Sequence, residues 1–189
     1  MRSIKIGFLS LAFSLCIAQT PLEFYAENIS ITIGEGVVRV DGDYSFRNNS
    51  NRPIYRRLFY PIPVDKIHTY PDSFSVHDLK DGSKIEYTHL PEGIAFPVSL
   101  GPKSECHISV SYCQKLTVNQ MRYILLTTSF WGQPFERAEY SVHHKKTIRL
   151  DYSTINFDTI FSDSGTIHHH TTRLGYFPTQ DLTLKWGLR

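Results

Sequence analysis

"VVRVDGDYSF", residues 37–46, places Val38, Val40, Tyr44 and Phe46 at alternate positions, with Val37, Arg39, Asp41, Asp43 and Ser45 between them. Successive side chains of a strand point to opposite faces, so this stretch reads as a strand with one apolar face and one polar face. Gly42 interrupts the apolar face and marks either a bulge or a close approach by neighbouring atoms. The preceding residues alternate as well, with Ile29, Ile31 and Ile33 set against Ser30 and Thr32. "GEG" at 34–36 joins the two runs as a tight hairpin.

Working outward, the same signal predicts strands over 54–60, 73–78, 83–89, 94–99, 105–113, 121–128, 138–144, 147–153, 166–173 and 181–187. Asp81-Gly82 is a two-residue hairpin signal, and Asn48 to Pro53 and Pro91 to Gly93 are turns. Pro61 and Pro63 follow the 54–60 run and mark it as an edge strand, because proline has no amide hydrogen for a ladder. In "DLTLKWG", Leu182, Leu184 and Trp186 alternate with Thr183 and Lys185, which predicts a final strand packed in the core. No window carries a sustained helical period with caps. Roughly ten to twelve short strands at this spacing predict an all-β chain, a two-sheet antiparallel β-sandwich, with no repeated corner pattern to argue for a closed barrel.

The N-terminus has a different character. Arg2 and Lys5 precede an apolar run from Ile6 to Leu15, and the small residue Ala18 follows. A basic start, a short apolar run and a small-residue exit predict a signal peptide over residues 1–18, cleaved to leave a single β-sandwich domain over 19–189. Cys16 offers a lipoprotein alternative, although the bulky Leu15 stands where such signals carry a small residue. The expected address is therefore exported, periplasmic or extracellular. The run is too short to span a membrane, which takes ~20 apolar residues.

The chain carries 20 Lys+Arg against 18 Asp+Glu. Without Arg2 and Lys5 the balance is even, and no basic stripe with interleaved aromatics points to nucleic acid. With 11 Tyr, 12 Phe and only 2 Met, the composition favours β-structure. The sequence holds no Gly-x-Ser-x-Gly, no phosphate-binding glycine loop and no His-Glu-x-x-His, and nothing in it calls for a cofactor. The expectation is a non-enzymatic module.

Three groups of residues are candidates for function. Cys106 falls in phase with Ile108, Val110 and Tyr112, whereas Cys113 falls in phase with His107, Ser109 and Ser111. Seven residues of straight strand span roughly 23 Å, and a disulfide needs Cα atoms within about 7 Å. The pair is thus read as a buried thiol and an outward one, with Cys113 available to link a dimer. Histidines form the second group. His168 and His170 share one side of a strand, a spacing that binds a metal ion if a third ligand approaches, with His143, Asp163 and His107 as the choices. A wet polar strand face is the alternative. The third group is aromatic. Phe130, Trp131 and Phe135 surround Gly132 and Pro134, and Tyr55 and Tyr60 flank Arg56 and Arg57. Phe130, Trp131 and Tyr55 are candidates for a platform that takes a glycan or a partner protein, and the Phe130, Trp131 and Phe135 cluster reads alternatively as a plug at the end of a sandwich.

Residues 37–63, "VVRVDGDYSFRNNSNRPIYRRLFYPIP", resemble the opening of an uncharacterised class of bacterial exported β-sandwich domains. "SVHDLKDGSKIEY" (75–87), "CHISVSYCQKL" (106–116) and "RYILLTTSFWGQPFERAEYSV" (122–142) follow in the order such domains show. These stretches are also similar to the β-rich N-terminal domain of zinc aminopeptidases, with its Asn-x-Ser turn and Ile-x-Val-x-Tyr strand. The resemblance implies a fold and an exported address. It brings no functional residues, since the helical catalytic domain and its zinc motif are missing. Two readings follow: an interaction or binding module for an unknown protein, or a binder of a small ligand, either a metal ion through His168 and His170 or a glycan through the aromatic loop.

Overall fold

A computed structural model describes residues 21–189. The expected signal peptide, with Cys16 and the Ala18 exit, lies outside the described residues. Leu22–Ile33 (β1) and Val37–Asn48 (β2) form the predicted hairpin, pairing antiparallel with Ile31 opposite Val40 and Ile33 opposite Val38. Val38, Val40, Tyr44 and Phe46 are all buried on one face, together with Gly42. Gly42 marks a close approach and not a bulge. A Cβ placed there would clash with the Tyr44 hydroxyl, so the phenol folds back over a position where only glycine leaves room.

The remaining strands are Ile54–Pro61 (β3), Phe74–Asp78 (β4), Thr88–Leu90 (β5), Gly93–Leu100 (β6), Glu105–Lys115 (β7), Gln120–Tyr123 (β8), Phe135–Lys145 (β9), Ile148–Ser153 (β10), Thr159–Asp163 (β11), Thr166–Tyr176 (β12) and Leu182–Leu188 (β13). They are arranged in a seven-stranded sheet of order β11-β12-β9-β1-β2-β7-β4 and two three-stranded sheets, β10-β13-β8 and β3-β6-β5. The expected two-sheet antiparallel sandwich is corrected on two points. First, the layer opposite the large sheet is divided. Tyr44 bonds both Tyr60 of β3 and Tyr123 of β8, each at 2.8 Å, so both small sheets pack on the same face of the large one. They do not join: β3 runs out at Pro61, which has no amide hydrogen to offer, and β8 ends after four residues. Second, β1 and β9 are parallel, with Ile29 beside Tyr140 and Ile31 beside Val142. Nor are the strands uniformly short, since β1 and β2 have 12 residues each.

Three local expectations also change. The strand predicted over 121–128 stops at Tyr123 and gives way to a 3-10 helix, Leu126–Trp131. The Asp181 carboxylate accepts hydrogen bonds from the Leu125 and Leu126 amides at 2.9 and 3.0 Å, which turns the chain out of the sheet. Gly132, at φ 68°, closes the helix in the left-handed region. Over 83–89, Ile85 bonds back to Val76 as the arm of a hairpin, but only from Thr88 does the chain enter a sheet. β11 was not predicted.

β13 packs as expected, with Leu182, Leu184 and Trp186 all buried. One hydrophobic cluster draws on all three sheets, from Ile29 and Val110 to Ile94 and Leu184.

Candidate binding site

A shift in the phase of β1 builds the site. Leu22 and Phe24 are buried, and so are Glu27, Ile29, Ile31 and Ile33. Strict alternation cannot bury both Phe24 and Glu27. The β1–β2 register shifts between Phe24 and Ala26, a bulge that resets the strand and turns both side chains to the same face. Glu27 is 4% exposed, a carboxyl group inside the core. Tyr140 of β9 donates its hydroxyl to Oε1 at 2.6 Å. Burial pushes the Glu27 carboxyl up to about 7, and the Tyr140 hydrogen bond offsets this only in part.

Around Glu27 the core is aromatic. Phe24 packs on Phe46 at 4.9 Å and on Phe135 at 4.7 Å between ring centroids. Trp131, the last residue of the 3-10 helix, lies 5.9 Å from Phe24 and 5.8 Å from Phe46. The Tyr44 hydroxyl joins those of Tyr60 and Tyr123. Burial holds all three phenols well above their usual range, and the nearby Glu27 carboxylate raises them further. Phe24, Glu27, Phe46, Trp131 and the three tyrosines line a cavity of about 70 Å³. It shares Leu58, Phe59, Thr127 and Trp131 with an open, largely apolar cleft of about 460 Å³ between β3 and the 3-10 helix, edged by Phe130, Arg56 and Arg57.

The aromatic candidates thus separate. Trp131 and Phe135 fold back as the plug, with Phe135 2% exposed. Phe130 stands out at 87% exposed, at the rim of the cleft. Tyr55 is also exposed and lines a second cavity of about 660 Å³ with Arg56, Arg57 and Cys106. β3 is the edge of its sheet, as its prolines predicted. Its two arginines are distinctive. Arg39, Arg47, Arg122, Arg137, Arg149 and Arg173, the other strand arginines, each pair with a carboxylate. Among the described residues, Arg56 and Arg57 pair with none; Arg57 donates to the Thr88 hydroxyl and Arg56 to the Tyr55 carbonyl.

The histidines lie elsewhere, on β9 and β12. His143 faces His168 across the ladder, and their Nδ1 atoms share a 2.8 Å hydrogen bond. Phe161 of β11 stacks on His168 at 4.8 Å. His170 points the same way but bonds Ser141, while His107 bonds Ser45 and Asp163 bonds Ser164. Of the candidate ligands, His143 lies beside His168, whereas His170, His107 and Asp163 each bond a serine elsewhere. Among the described residues, no group of three or more His, Cys, Asp or Glu could hold a metal ion. On the other face His144 and His169 share a 3.0 Å Nε2–Nε2 hydrogen bond. Burial, and then the neighbouring imidazoles, lower His143 and His169 below the usual histidine value.

Cys106 and Cys113 are both free on the straight β7. Cys106 is half-buried and not fully enclosed, and burial raises its thiol to about 11, with Asp78 adding to the shift. Cys113 is exposed.

Glu27 was missed by sequence reasoning. It is in phase with Ile29, but a carboxylate in that position reads as the end of a buried run. Its partner Tyr140 lies far along the chain.

No protein-family profile matches the chain, and no curated protein matches it in sequence. Solved structures do match in fold. A candidate nutrient-binding protein from Legionella pneumophila superposes with a TM-score of 0.70 at 15% identity, over 89% of this chain and 67% of that one. An M1 zinc metallopeptidase from Deinococcus radiodurans superposes with a TM-score of 0.55 at 12% identity, over 88% of this chain and 42% of that one. A mutant of that enzyme bound to a Tyr-Ser-Ala substrate gives 0.53 at 12% identity, over 89% and 43%. This chain spans less than half the length of the metallopeptidases. The expected similarity to the N-terminal domain of zinc metallopeptidases holds as a likeness of fold.

Proposed function

We propose that this chain is an exported, non-catalytic binding module, and that it takes an extended peptide segment carrying a carboxylate in the cleft beside β3. The observation that carries this reading is the pair Arg56 and Arg57. They are the strand arginines without a carboxylate partner among the described residues, and they stand at the rim of an apolar cleft that exposes Phe59 and Phe130. An arginine side chain binds a carboxylate through two parallel N–H donors. Exposed aromatic rings supply apolar anchors beside it. β3, at the edge of its sheet, offers main-chain donors and acceptors to an added strand. The fold likeness to a candidate nutrient-binding protein is in keeping with this reading. Export rests on Arg2, Lys5 and the apolar run that follows. In an oxidising compartment the exposed Cys113 would also let two copies cross-link, which a non-reducing gel of purified protein reads directly.

The test is fluorescence polarisation with labelled octapeptides that combine leucine or phenylalanine with one glutamate. Binding is expected to weaken at least tenfold in Arg56→Gln/Arg57→Gln, to weaken in Phe130→Ala, and to fall as salt rises. A peptide that binds the double variant as well as the natural protein would overturn the reading.

A further inference from the structure

The cavity inside Trp131 has chemistry that the outer cleft does not use. Its wall holds one carboxylate, Glu27, with a single hydrogen-bond donor on it. Tyr140 bonds Oε1, and since no buried side-chain oxygen or nitrogen lacks a partner among the described residues, Oε2 is open to the cavity and not sealed in the core. Glu27 has no lysine, arginine or histidine partner there either, although it is 4% exposed. The rest of the wall is mainly aromatic, with Phe24, Phe46, Trp131 and the linked hydroxyls of Tyr44, Tyr60 and Tyr123, completed by aliphatic side chains and by Thr127 and Thr128. Among aromatic faces the charged form of this carboxyl is costly; it either takes up a proton, as its rise to about 7 reflects, or is held charged by a cation that reaches Oε2.

We propose that this cavity is an ammonium-binding site, in which the Glu27 carboxylate and the surrounding aromatic faces hold the protonated amine of a ligand lying in the outer cleft. The proposal deepens the reading of that cleft as a ligand site and rests on it for the rest of the ligand. Aromatic faces attract cations, most strongly where water is excluded. The carboxylate supplies the charge-assisted hydrogen bond that a neutral guest would leave unmade. Chemistry restricts the guest: a –CH₂–NH₃⁺ end donates N–H to the carboxylate, whereas a quaternary ammonium has no N–H and cannot make that bond. Metal ions are served badly, because calcium and magnesium require six or more oxygens and most of this wall is carbon. A ligand with an amine at Glu27 and a carboxylate at Arg56 or Arg57 is an amino acid or a short peptide.

The pH range follows from the groups facing Glu27. Tyr44 of β2, Tyr60 of β3, Tyr123 of β8 and Tyr140 of β9 all ionise far above neutrality. Tyr176 of β12 is also raised, and Arg173 is paired with Asp158. Between neutrality and about pH 9, Glu27 is the group that changes charge, and an alkylamine remains protonated there.

The probe is methylammonium chloride titrated against the full chain at pH 8, at constant ionic strength. The readout is the ¹⁵N–¹H signal of the Trp131 indole, assigned with Trp131→Phe. That signal is expected to move saturably with methylammonium and to stay still with tetramethylammonium or potassium. In Glu27→Gln, which retains an acceptor for Tyr140, the affinity should fall at least tenfold. In the natural protein alone it should fall at least tenfold from pH 8 to pH 5.5, which keeps the test decisive even where the variant folds poorly. No movement, equal movement with tetramethylammonium, or no dependence on pH would overturn the site. A natural protein that binds methylammonium but no peptide would fault the outer cleft and not Glu27.

Discussion

β2 and β11 belong to the same sheet, yet β2 buries every second residue and β11 buries none. β2 lies between β1 and β7, with the two small sheets pressed on its inner face, so each apolar side chain has a place to go. β11 is an edge strand that pairs only with β12 and carries Ile160 and Phe161 in the open. Backbone hydrogen bonding makes both of them strands, but only packing gives a strand its pattern. The energetic contrast should be just as marked.

The largest expected effect lies on the packed side. Trp186→Ala, in the core of β13, should cost about 3–5 kcal/mol in urea unfolding. A loss near zero would show that the small sheets contribute little to the core. The second effect depends on pH. The Glu27 carboxyl is raised in the folded state, so its stabilising contribution is full below about pH 4.5 and is lost as pH climbs through about 7. A shift of this size corresponds to about 3 kcal/mol. The lowered His143 and His169 act in the opposite sense, losing stability as pH falls. The natural protein and Glu27→Gln should therefore be compared at pH 5 and pH 8, with the difference between their slopes assigned to Glu27. Parallel slopes would mean that its carboxyl is not buried as described. Third, Gly42→Ala sets a Cβ against the Tyr44 phenol and should cost about 1–3 kcal/mol through overpacking. Last, Ile160→Ala on β11 should change stability by no more than about 0.5 kcal/mol. A larger loss would mean that the edge is covered in solution, and the contrast between the two strands would fall.

The same contrast explains what was legible in the sequence. β1, β2, β7 and β13 announced themselves because one face meets a core and the period of two follows. β11 could not be read, because a strand exposed at every position is free of that constraint. The 3-10 helix was hidden for another reason: Leu125 and the residues before it continue a strand pattern, and the Asp181 carboxylate that ends the strand arrives from a distant segment. The split of the second layer was partly visible, in Pro61 and Pro63. At the site, Trp131 and Phe130 were singled out together, but the sequence could not say which faces in and which faces out. Glu27 is in phase with the buried isoleucines, but the bulge that brings Phe24 to its face and the phenol of Tyr140 that bonds it leave no local trace.

The parallel pairing of β1 with β9 has a consequence in time. β1 closes a hairpin with β2 after three intervening residues, a fast local event. Its other edge waits for Arg137 to come alongside Ala26, which requires a long loop to close. Until then Ile29, Ile31 and Ile33 sit on a strand with an open side, the kind of surface that captures other chains. During synthesis or export β1 emerges early and its second neighbour late. The slow step of folding, and the interval most open to aggregation, should therefore be the docking of β9, and a holding chaperone would have its greatest effect before residue 145 is free.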